Sequence, residues 1–256
     1  MYHHVSDDRE VTPRGFEEHL LLLKREGFRT LSLAELRAHL TGAQPAGRAA
    51  MITFDDGYLD NWVCAYPLLK KHGLRAVVSV VTERAELARS AFRHRMDEGA
   101  ASPDTRKDER GPEGFLSWRE LDAMAASGVF EVASHTHTHR DFRREQPYAD
   151  LRRELVESRR LIEERLGVWS GAVFWPWGDC EPGWSMTARE AGYRLAFTTQ
   201  VGANTPGRDP FAVRRFKVKS DSVQELSRRL WLYSRPVMAE LYANVHGLDR
   251  WLSGKR

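Results

Sequence analysis

The chain has 256 residues, of which 41% are hydrophobic and 29% are charged. This length is enough for one domain with a sizeable hydrophobic core. The formal net charge is only +3 and the basic residues are spread along the chain, so the sequence does not indicate a nucleic-acid-binding surface. It also contains no apolar run of about 18 residues, so no membrane span is predicted.

The start of the chain and the cysteines bear on the cellular compartment. Met1-Tyr2-His3-His4 lacks the apolar stretch of a signal peptide, so the sequence as written predicts a cytoplasmic protein. A start that omits an export segment would instead be compatible with an extracellular or cell-envelope protein. Cys64 and Cys180 lie far apart, which predicts neither a disulfide framework nor a metal-binding pair. The oligomeric state is not indicated.

The first third of the chain predicts two helices followed by a buried strand. Thr12-Pro13 is a good helix start, and Gly27 ends that helix. A capping-box pattern at 32–35 starts a second helix that runs to about Leu40. The apolar run Ala49–Ile52 then predicts a buried strand.

Two adjacent carboxylates, Asp55 and Asp56, follow this strand within Thr53-Phe54-Asp55-Asp56-Gly57-Tyr58. In α/β folds the carboxyl ends of strands are where active-site residues collect. Successive strand side chains point to opposite faces, so one carboxylate could bind a metal while the other handles a proton. The alternative is an ordinary acidic turn after a strand.

The middle of the chain alternates helices and strands. A helix is predicted over 59–72, and the Val-rich run 76–81 is typical of a strand buried on both faces of a parallel sheet. This alternation predicts an α/β fold. The charged segment at about 83–114 has little apolar pattern and predicts an irregular insertion, either a surface loop or a lid over a substrate groove. A second capping box, at 117–120, starts a helix to about Ser127.

The segment Ser134-His135-Thr136-His137-Thr138-His139 follows a second short apolar strand, 129–133, and holds three of the ten histidines of the chain. Alternate histidines on an extended segment, or His135 and His139 on one helical turn, can share a metal. Two imidazoles and one carboxylate leave a coordination position open, which is the ligand set of a catalytic zinc site.

The remaining elements continue the same alternation. A long amphipathic helix over 147–166 is followed by a strand over 172–175 and by an aromatic turn, Trp175-Pro176-Trp177-Gly178. Aromatic faces stack well on sugar rings, although core tryptophans would look the same in sequence. Later elements are predicted as a helix near 184–191, strands over 193–198 and 211–218, and a terminal helix after Ser222.

Together, the Asp-Asp and histidine motifs resemble those of the polysaccharide deacetylase (NodB-homology) family, the family-four carbohydrate esterases. Thr53-Phe54-Asp55-Asp56-Gly57 matches the first motif of this family and Ser134-His135-Thr136-x-x-His139 matches the second. The resemblance implies a distorted (β/α)7-type barrel formed by a single catalytic domain over 1–256. It implies a divalent-metal-dependent hydrolase that removes N-acetyl groups from an amino sugar or polysaccharide.

The resemblance also implies a role for each motif residue. Asp56, His135 and His139 would hold Zn²⁺ or another first-row ion such as Co²⁺ or Ni²⁺, and Asp55 would be the general base. The backbone N–H of Tyr58 would stabilise the oxyanion, Thr136 would orient the histidine loop, and His137 would point away. The wall of the substrate groove would be formed by Trp175, Pro176, Trp177 and Gly178.

The resemblance implies two further roles, and for each of them the sequence offers more than one candidate residue. Tyr2-His3-x-Val5 resembles the start of the permuted poly-N-acetylglucosamine deacetylase branch, in which this histidine is the general acid. His3 would have that role here, with His246 as a weaker rival and no role for His4. An arginine that orients the catalytic aspartate would be Arg215, with Arg214 equally available by position.

Two other functions use the same residues. An acetyl-ester hydrolase acting on a glycan would need the same metal and base. A metal-bound carbohydrate-binding protein without turnover would need the metal but no base, so the intact Asp55 argues against it.

Overall fold

The structure is a computed structural model that describes residues 1–88, 91–105, 111–143, 148–168, 171–178 and 180–252. Within these ranges the helices are α1 (Pro13–Arg25), α2 (Leu33–Leu40), α3 (Tyr66–His72), α4 (Thr82–Leu87), α5 (Trp118–Ala126), α6 (Tyr148–Leu166), α7 (Pro182–Glu190), α8 (Val223–Tyr233) and α9 (Pro236–Leu252). The strands are β1 (Arg29–Thr30), β2 (Ala49–Ala50), β3 (Ile52–Phe54), β4 (Ala76–Val80), β5 (Phe130–Ser134), β6 (Ala172–Phe174) and β7 (Leu195–Phe197).

The central sheet has five parallel strands in the order β3-β4-β5-β6-β7, and β1 and β2 form a separate parallel pair. Helices lie between most consecutive strands, which is the arrangement that parallel pairing requires. All five residues of β4 are buried, as the Val-rich run predicted.

Two further segments close the sheet into a ring. On one side, Val213 N donates to Ala196 O at 2.9 Å. On the other side, Tyr2 N donates to Thr53 O at 2.8 Å, and Val218 N joins the two segments by donating to Met1 O at 3.0 Å. With the five strands these segments form a seven-membered ring of backbone, and this confirms the predicted distorted (β/α)7-type barrel.

The predicted helix starts are present as side-chain caps. Thr12 accepts a hydrogen bond from Gly15 N at the start of α1, and Ser32 and Ser117 each form a reciprocal capping box, with Glu35 and Glu120. Because these caps satisfy N–H groups that have no partner inside the helix, they define where each helix begins. No helix of the described residues has both the length and the apolar character of a membrane span.

The hydrophobic core has an inner and an outer part. Inside the ring, Phe174 stacks on Phe197 with ring centroids 4.0 Å apart, and Val77 and Ala133 pack in the same cluster. Outside the barrel, the aromatic side chain of Phe16 on α1 packs edge-on against that of Tyr2, near the start of the chain. Apolar side chains of the inner cluster therefore fill part of the interior of the ring.

The structure differs from the sequence prediction in three elements. The predicted strand 49–52 is divided, because Ala49-Ala50 pairs with β1 whereas Ile52 begins β3 in the other sheet. The segment predicted as irregular from residue 83 begins as helix α4. The predicted strand 211–218 pairs through an isolated bridge at Val213, so it closes the ring without forming a regular strand.

Part of the charged segment is held to the barrel. The Arg93 guanidinium donates to the Glu120 carboxylate of α5 at 2.5 Å and to the carbonyl oxygens of Glu113 and Phe115, both at 2.7 Å. Residues 89–90 and 106–110 of the predicted insertion lie outside the described residues.

Candidate metal and catalytic site

The predicted functional residues converge at the carboxyl rim of the barrel. Asp55 and Asp56 directly follow β3, and the histidine loop follows β5. His3 and Arg215 come from the two segments that close the ring. Residues that are up to 212 positions apart therefore meet because the strands are parallel and end at one rim.

Asp56, His135 and His139 form a cluster in which one donor atom of each residue lies within 4.8 Å of the others. Asp56 Oδ1 is 3.4 Å from His139 Nε2 and 3.9 Å from His135 Nε2. The Asp56 backbone is left-handed, with φ of 72°, which is uncommon for a residue with a side chain. This turn aims the Asp56 carboxylate at the histidines while Asp55 continues the strand direction.

Gly57 makes the same turn possible. Its φ is also 72°, and an added Cβ would lie 3.0 Å from Val80 Cγ1. A side chain at this position would therefore be strained and would collide with β4. The glycine of the Asp-Asp motif is explained by this close approach.

The two clustered histidines, His135 and His139, lie on an irregular loop, so the helical turn, one of the two alternatives from the sequence, is wrong. Thr136 and His139 have φ values of 65° and 60°, which break any helical turn. Thr136 Oγ1 instead accepts a hydrogen bond from His139 N at 3.2 Å. His137 is turned away and bonds through Nδ1 to Thr82 Oγ1 at 2.9 Å, as predicted.

Hydrogen bonding and burial both prepare the imidazoles to be ligands. His135 Nδ1 lies 2.8 Å from Phe174 O, and because a carbonyl only accepts, Nδ1 carries the proton and Nε2 presents its lone pair to the cluster. Burial and then His135 lower the pKa of His139 to about 4, against the opposite effect of Asp56. Two neutral imidazoles and one carboxylate fit a divalent metal and leave a coordination position open.

Glu154 of α6 supports the histidine loop, and the sequence analysis missed it. Its Oε2 accepts from His137 N at 2.9 Å and from Thr138 N at 2.7 Å, and its Oε1 accepts from Thr138 Oγ1 at 2.8 Å. Glu154 is 6% exposed. Glu154 stands next to Leu155 on the apolar face of the predicted helix. This position was a signal in the sequence, because a buried carboxylate needs hydrogen-bond donors or a positive charge beside it.

Asp55 lies in a buried ion pair with Arg215. Arg215 Nη1 donates to Asp55 Oδ1 at 2.7 Å, and Ser79 Oγ donates to the same oxygen at 3.1 Å. Burial raises the pKa of Asp55, but Arg215 and His135 outweigh it, so the pKa lies well below its usual range. Arg214 instead bonds Glu240 at 2.9 Å, so of the two arginines only Arg215 contacts the aspartate.

His3 lies beside the cluster. Its Nε2 is 3.9 Å from Asp56 Oδ2, and its side chain is 40% exposed. Burial lowers the pKa of His3, and the charges of Asp55 and Asp56 act against this effect. The side chain of the rival, His246, lies outside the described residues.

Arg84 is a second residue that the sequence analysis missed. Its Nη1 donates to Asp56 Oδ1 at 3.1 Å, and its guanidinium lies 4.6 Å from the ring centroid of Phe115. Phe115 in turn stacks on Tyr58 with centroids 5.2 Å apart. No sequence signal marked Arg84, because it stands among other charged residues of the segment 83–114.

The aromatic turn divides between core and surface. Trp177 is 57% exposed, and its ring centroid is 5.6 Å from that of His139. Trp175 is 1% exposed and packs against Trp184, and Pro176 and Gly178 are also buried. The groove-wall prediction is therefore wrong for the ring of Trp175, which fills the outer core, and it stays a prediction for Trp177.

The chain is similar to proteins of known family. A family model described as "Polysaccharide deacetylase" matches residues 42–196. The Bacillus subtilis (strain 168) protein YxkH, whose name refers to the same family, is 26% identical over 221 residues, covering 85% of this chain and 70% of the relative. A poly-β-1,6-N-acetyl-D-glucosamine N-deacetylase of Staphylococcus aureus (strain MRSA252) is 21% identical over 226 residues, covering 86% and 71%.

A solved structure supports the fold. The Streptococcus pyogenes deacetylase PplD, in complex with acetate, superposes with a TM-score of 0.72 at 21% identity and covers 92% of this chain and 97% of the other.

Proposed function

The chain belongs to the polysaccharide deacetylase family, and we propose that it is a metal-dependent hydrolase that removes N-acetyl groups from an N-acetylated amino sugar. The observation that carries this proposal is the grouping at one rim of a three-donor cluster, a buried aspartate held by an arginine, and a half-exposed histidine. A metal-bound carbohydrate-binding protein would need Asp56 as a ligand, but neither the buried Asp55–Arg215 ion pair nor His3.

The proposed metal ligands are Asp56, His135 and His139, and the proposed ion is Zn²⁺, with Co²⁺ and Ni²⁺ as alternatives. When bound, such an ion supplies Lewis-acid polarisation of the acetamide carbonyl and lowers the pKa of water at the site. The protein contributes a fixed donor set, because the His135 tautomer is held by Phe174 O and the loop is held by Glu154.

Asp55 is the proposed general base. Its lowered pKa keeps the carboxylate ionised and ready to accept the proton of the attacking water. Arg215 holds one carboxylate oxygen, Oδ1, so the other oxygen is oriented for this proton transfer. The backbone N–H of Tyr58 is the proposed oxyanion donor beside the turn.

His3 is the proposed general acid. The amine of the sugar is a poor leaving group until it gains a proton, and His3 Nε2 lies 3.9 Å from Asp56 Oδ2, beside the proposed metal ligands.

The proposed substrate is a polymer or oligomer of N-acetylglucosamine. Two observations support this class: the named activity of the Staphylococcus aureus relative, and the exposed Trp177 ring at the edge of the cluster, which could stack on a sugar. The test therefore varies both the added metal ion and the glycosidic linkage of the substrate.

The test is acetate release from chelator-stripped protein, with and without added Zn²⁺ or Co²⁺. The substrates are N-acetylglucosamine, its β-1,4 and β-1,6 oligomers, and an O-acetylated xylo-oligosaccharide. We expect metal-restored release from an N-acetyl oligomer and at least a 1,000-fold loss in Asp55→Asn, which should still bind one metal ion. Acetate release from the O-acetylated substrate alone would contradict the proposed N-deacetylase and indicate an acetyl-ester hydrolase.

A further inference from the structure

A buried polar pair, Asp60 and Asn61, follows the Asp-Asp turn and has no part in the chemistry described above. Both side chains have 0% exposure. They stand at the start of a π-helical turn, Asn61–Ala65, that leads into α3. Such turns are rare and are frequent at functional sites.

The pair bonds the backbone on either side of His4. Asn61 Nδ2 donates to His3 O at 3.0 Å, and Val5 N donates to Asp60 Oδ2 at 3.2 Å. His4 Nδ1 bonds the same Oδ2 at 2.7 Å. Asn61 Nδ2 also donates to Asp60 Oδ1 at 2.8 Å, which links the two side chains.

The other side of His3 is held by the strand that carries the base. Tyr2 N donates to Thr53 O at 2.8 Å, and Asp55 N donates to Tyr2 O at 3.1 Å. The peptide groups before and after His3 are therefore both fixed, and only side-chain rotation remains to it. The same contacts connect the segment of the acid directly to the segment of the base.

Packing alone does not explain these two residues. Asn61 Oδ1 is buried and has no hydrogen-bond partner within the described part of the chain, and burial raises the pKa of Asp60 although His4 and Val5 act against it. Each of these is an energetic cost that an apolar side chain of similar volume would avoid. The amide orientation of Asn61 is determined by its two acceptors, His3 O and Asp60 Oδ1.

We propose that Asn61 and Asp60 are positioning residues that hold the His3–Val5 backbone and thereby aim the His3 imidazole at the leaving amine. This inference rests on the proposed function, because it assumes that His3 is the acid. It assigns the pair an effect on one step, protonation of the leaving group, and none on metal binding or water activation.

The experiment compares two leaving groups. An N-acetyl sugar releases an amine that must be protonated, whereas 4-nitrophenyl acetate releases a phenolate that needs no acid. In Asn61→Ala we expect kcat on the N-acetyl oligomer to fall about 30- to 100-fold, with the aryl acetate rate and the metal Kd changed less than threefold. His3→Gln should have the same pattern, and the double variant should lose little more than His3→Gln, since residues acting as one unit are not additive.

Two further variants separate positioning from stability. Asp60→Asn keeps an acceptor for Val5 N but loses the charge, and we expect the same selective loss at a smaller size. Val63→Ala, on the same π-helical turn, removes buried apolar volume but no hydrogen-bonding side chain, and it should destabilise the fold while leaving the rate ratio unchanged. Equal losses on both substrates in Asn61→Ala, or a selective loss in Val63→Ala, would overturn the proposal.

The proposed function is tested separately, by the rate at which the protein without substitutions releases acetate from the N-acetyl oligomer. Should that rate be zero, the imidazole NMR signals of the metal-free protein still test the positioning. The His3 signal is identified by its loss in His3→Gln. We expect it to shift or broaden in Asn61→Ala and to be unchanged in Val63→Ala; an unchanged signal in both variants would refute the positioning.

Discussion

Arg215 Nη1 lies 2.7 Å from Asp55 Oδ1, in an ion pair whose side chains are 5% and 4% exposed. Arg215 also donates through Nε to Thr198 O at 3.0 Å, so its guanidinium is held by the residue after β7 as well as by the carboxylate. The pair joins the first strand of the sheet to the segment that closes the ring. A barrel that did not close would leave Asp55 as an unpaired buried charge.

Replacing Arg215 by methionine should therefore impair both stability and turnover. Removing one partner of a buried pair costs about 3–5 kcal/mol of unfolding free energy, because the other charge remains buried. We expect a loss of that size in urea unfolding and at least a 100-fold loss in kcat. Arg214→Met is the matched control, since Arg214 pairs with Glu240 at the surface. Equal losses of kcat in both variants would contradict the assignment of Arg215.

Glu154→Leu should weaken metal binding without changing a ligand. The substitution leaves His137 N and Thr138 N without their acceptor, so the loop that carries His139 loses its support. Loss of groups that orient ligands typically costs 10- to 100-fold in metal affinity, and we expect a loss in this range by competition with a metal indicator. Glu154→Gln retains an acceptor oxygen and should restore most of the affinity.

The control for this prediction is Glu157→Leu on the same helix. Glu157 forms an ion pair with Arg160 near the surface, and its interaction with the histidine loop is the charge of His137 and not a hydrogen bond to the loop backbone. Unchanged metal affinity in Glu154→Leu would mean that the loop is rigid without its carboxylate.

Arg84→Met should strengthen metal binding. The guanidinium lies 3.1 Å from Asp56 Oδ1, the oxygen nearest to both clustered histidines, so it repels a cation at that site and competes for the same oxygen. We expect the metal Kd to fall about tenfold, which corresponds to about 1.4 kcal/mol. Arg119→Met, which removes an arginine lying over the Phe92 ring, should leave the Kd unchanged. A weaker affinity in Arg84→Met would indicate that Arg84 mainly orients Asp56.

Trp177→Ala should raise KM for an oligosaccharide and leave kcat within about threefold. Stacking on an exposed aromatic ring is worth about 0.5–1.5 kcal/mol, so the expected increase in KM is up to about tenfold. Trp231→Ala, which removes another exposed tryptophan on α8, should change neither constant. A large decrease in kcat for Trp177→Ala would instead indicate that its ring shields His139 from solvent.

The stability of the metal-free protein should fall as the pH decreases below about 6.5, in part because of His19. Burial lowers the pKa of His19, against the effect of Asp221. Since the unfolded chain then binds more protons than the folded one, the unfolding free energy rises with pH, by at most about 1.4 kcal/mol per pH unit for one group. The full stabilisation is present above the pKa of the unfolded chain. It is lost as the pH falls from that value through the lower pKa of the folded state.

His19→Gln should therefore lose less unfolding free energy between pH 7 and pH 5 than the unchanged protein does. His94→Gln removes a histidine whose side chain is 84% exposed and should reproduce the unchanged profile. The measurement is urea unfolding at both pH values on chelator-treated protein. Parallel profiles for all three proteins would exclude a contribution from His19.

Local chemistry made much of this molecule predictable from sequence. The caps at Thr12, Ser32 and Ser117 determine helix starts through bonds that span three residues, so neighbouring letters are enough to reveal them. The Val-rich run of β4 predicts a doubly buried strand for the same reason. The two motifs, 53–57 and 134–139, identified the cluster through their resemblance to the motifs of a known family, which implied Asp56, His135 and His139 as the ligands.

Only the tertiary structure decided which residues meet across the barrel. Arg215 and Arg214 are equivalent by position, and the direction of the closing segment selects the one that contacts Asp55. Trp175 and Trp177 are equivalent by type, and the left-handed turn at Trp177 sends one ring to the surface while the other stays in the core. Arg84, Glu154 and Asn61 act through bonds to residues 16 to 58 positions away, which no local pattern encodes. Short sequence motifs thus contain the residues of the site. The contacts that hold these residues in place come from distant parts of the chain and form only in the folded barrel.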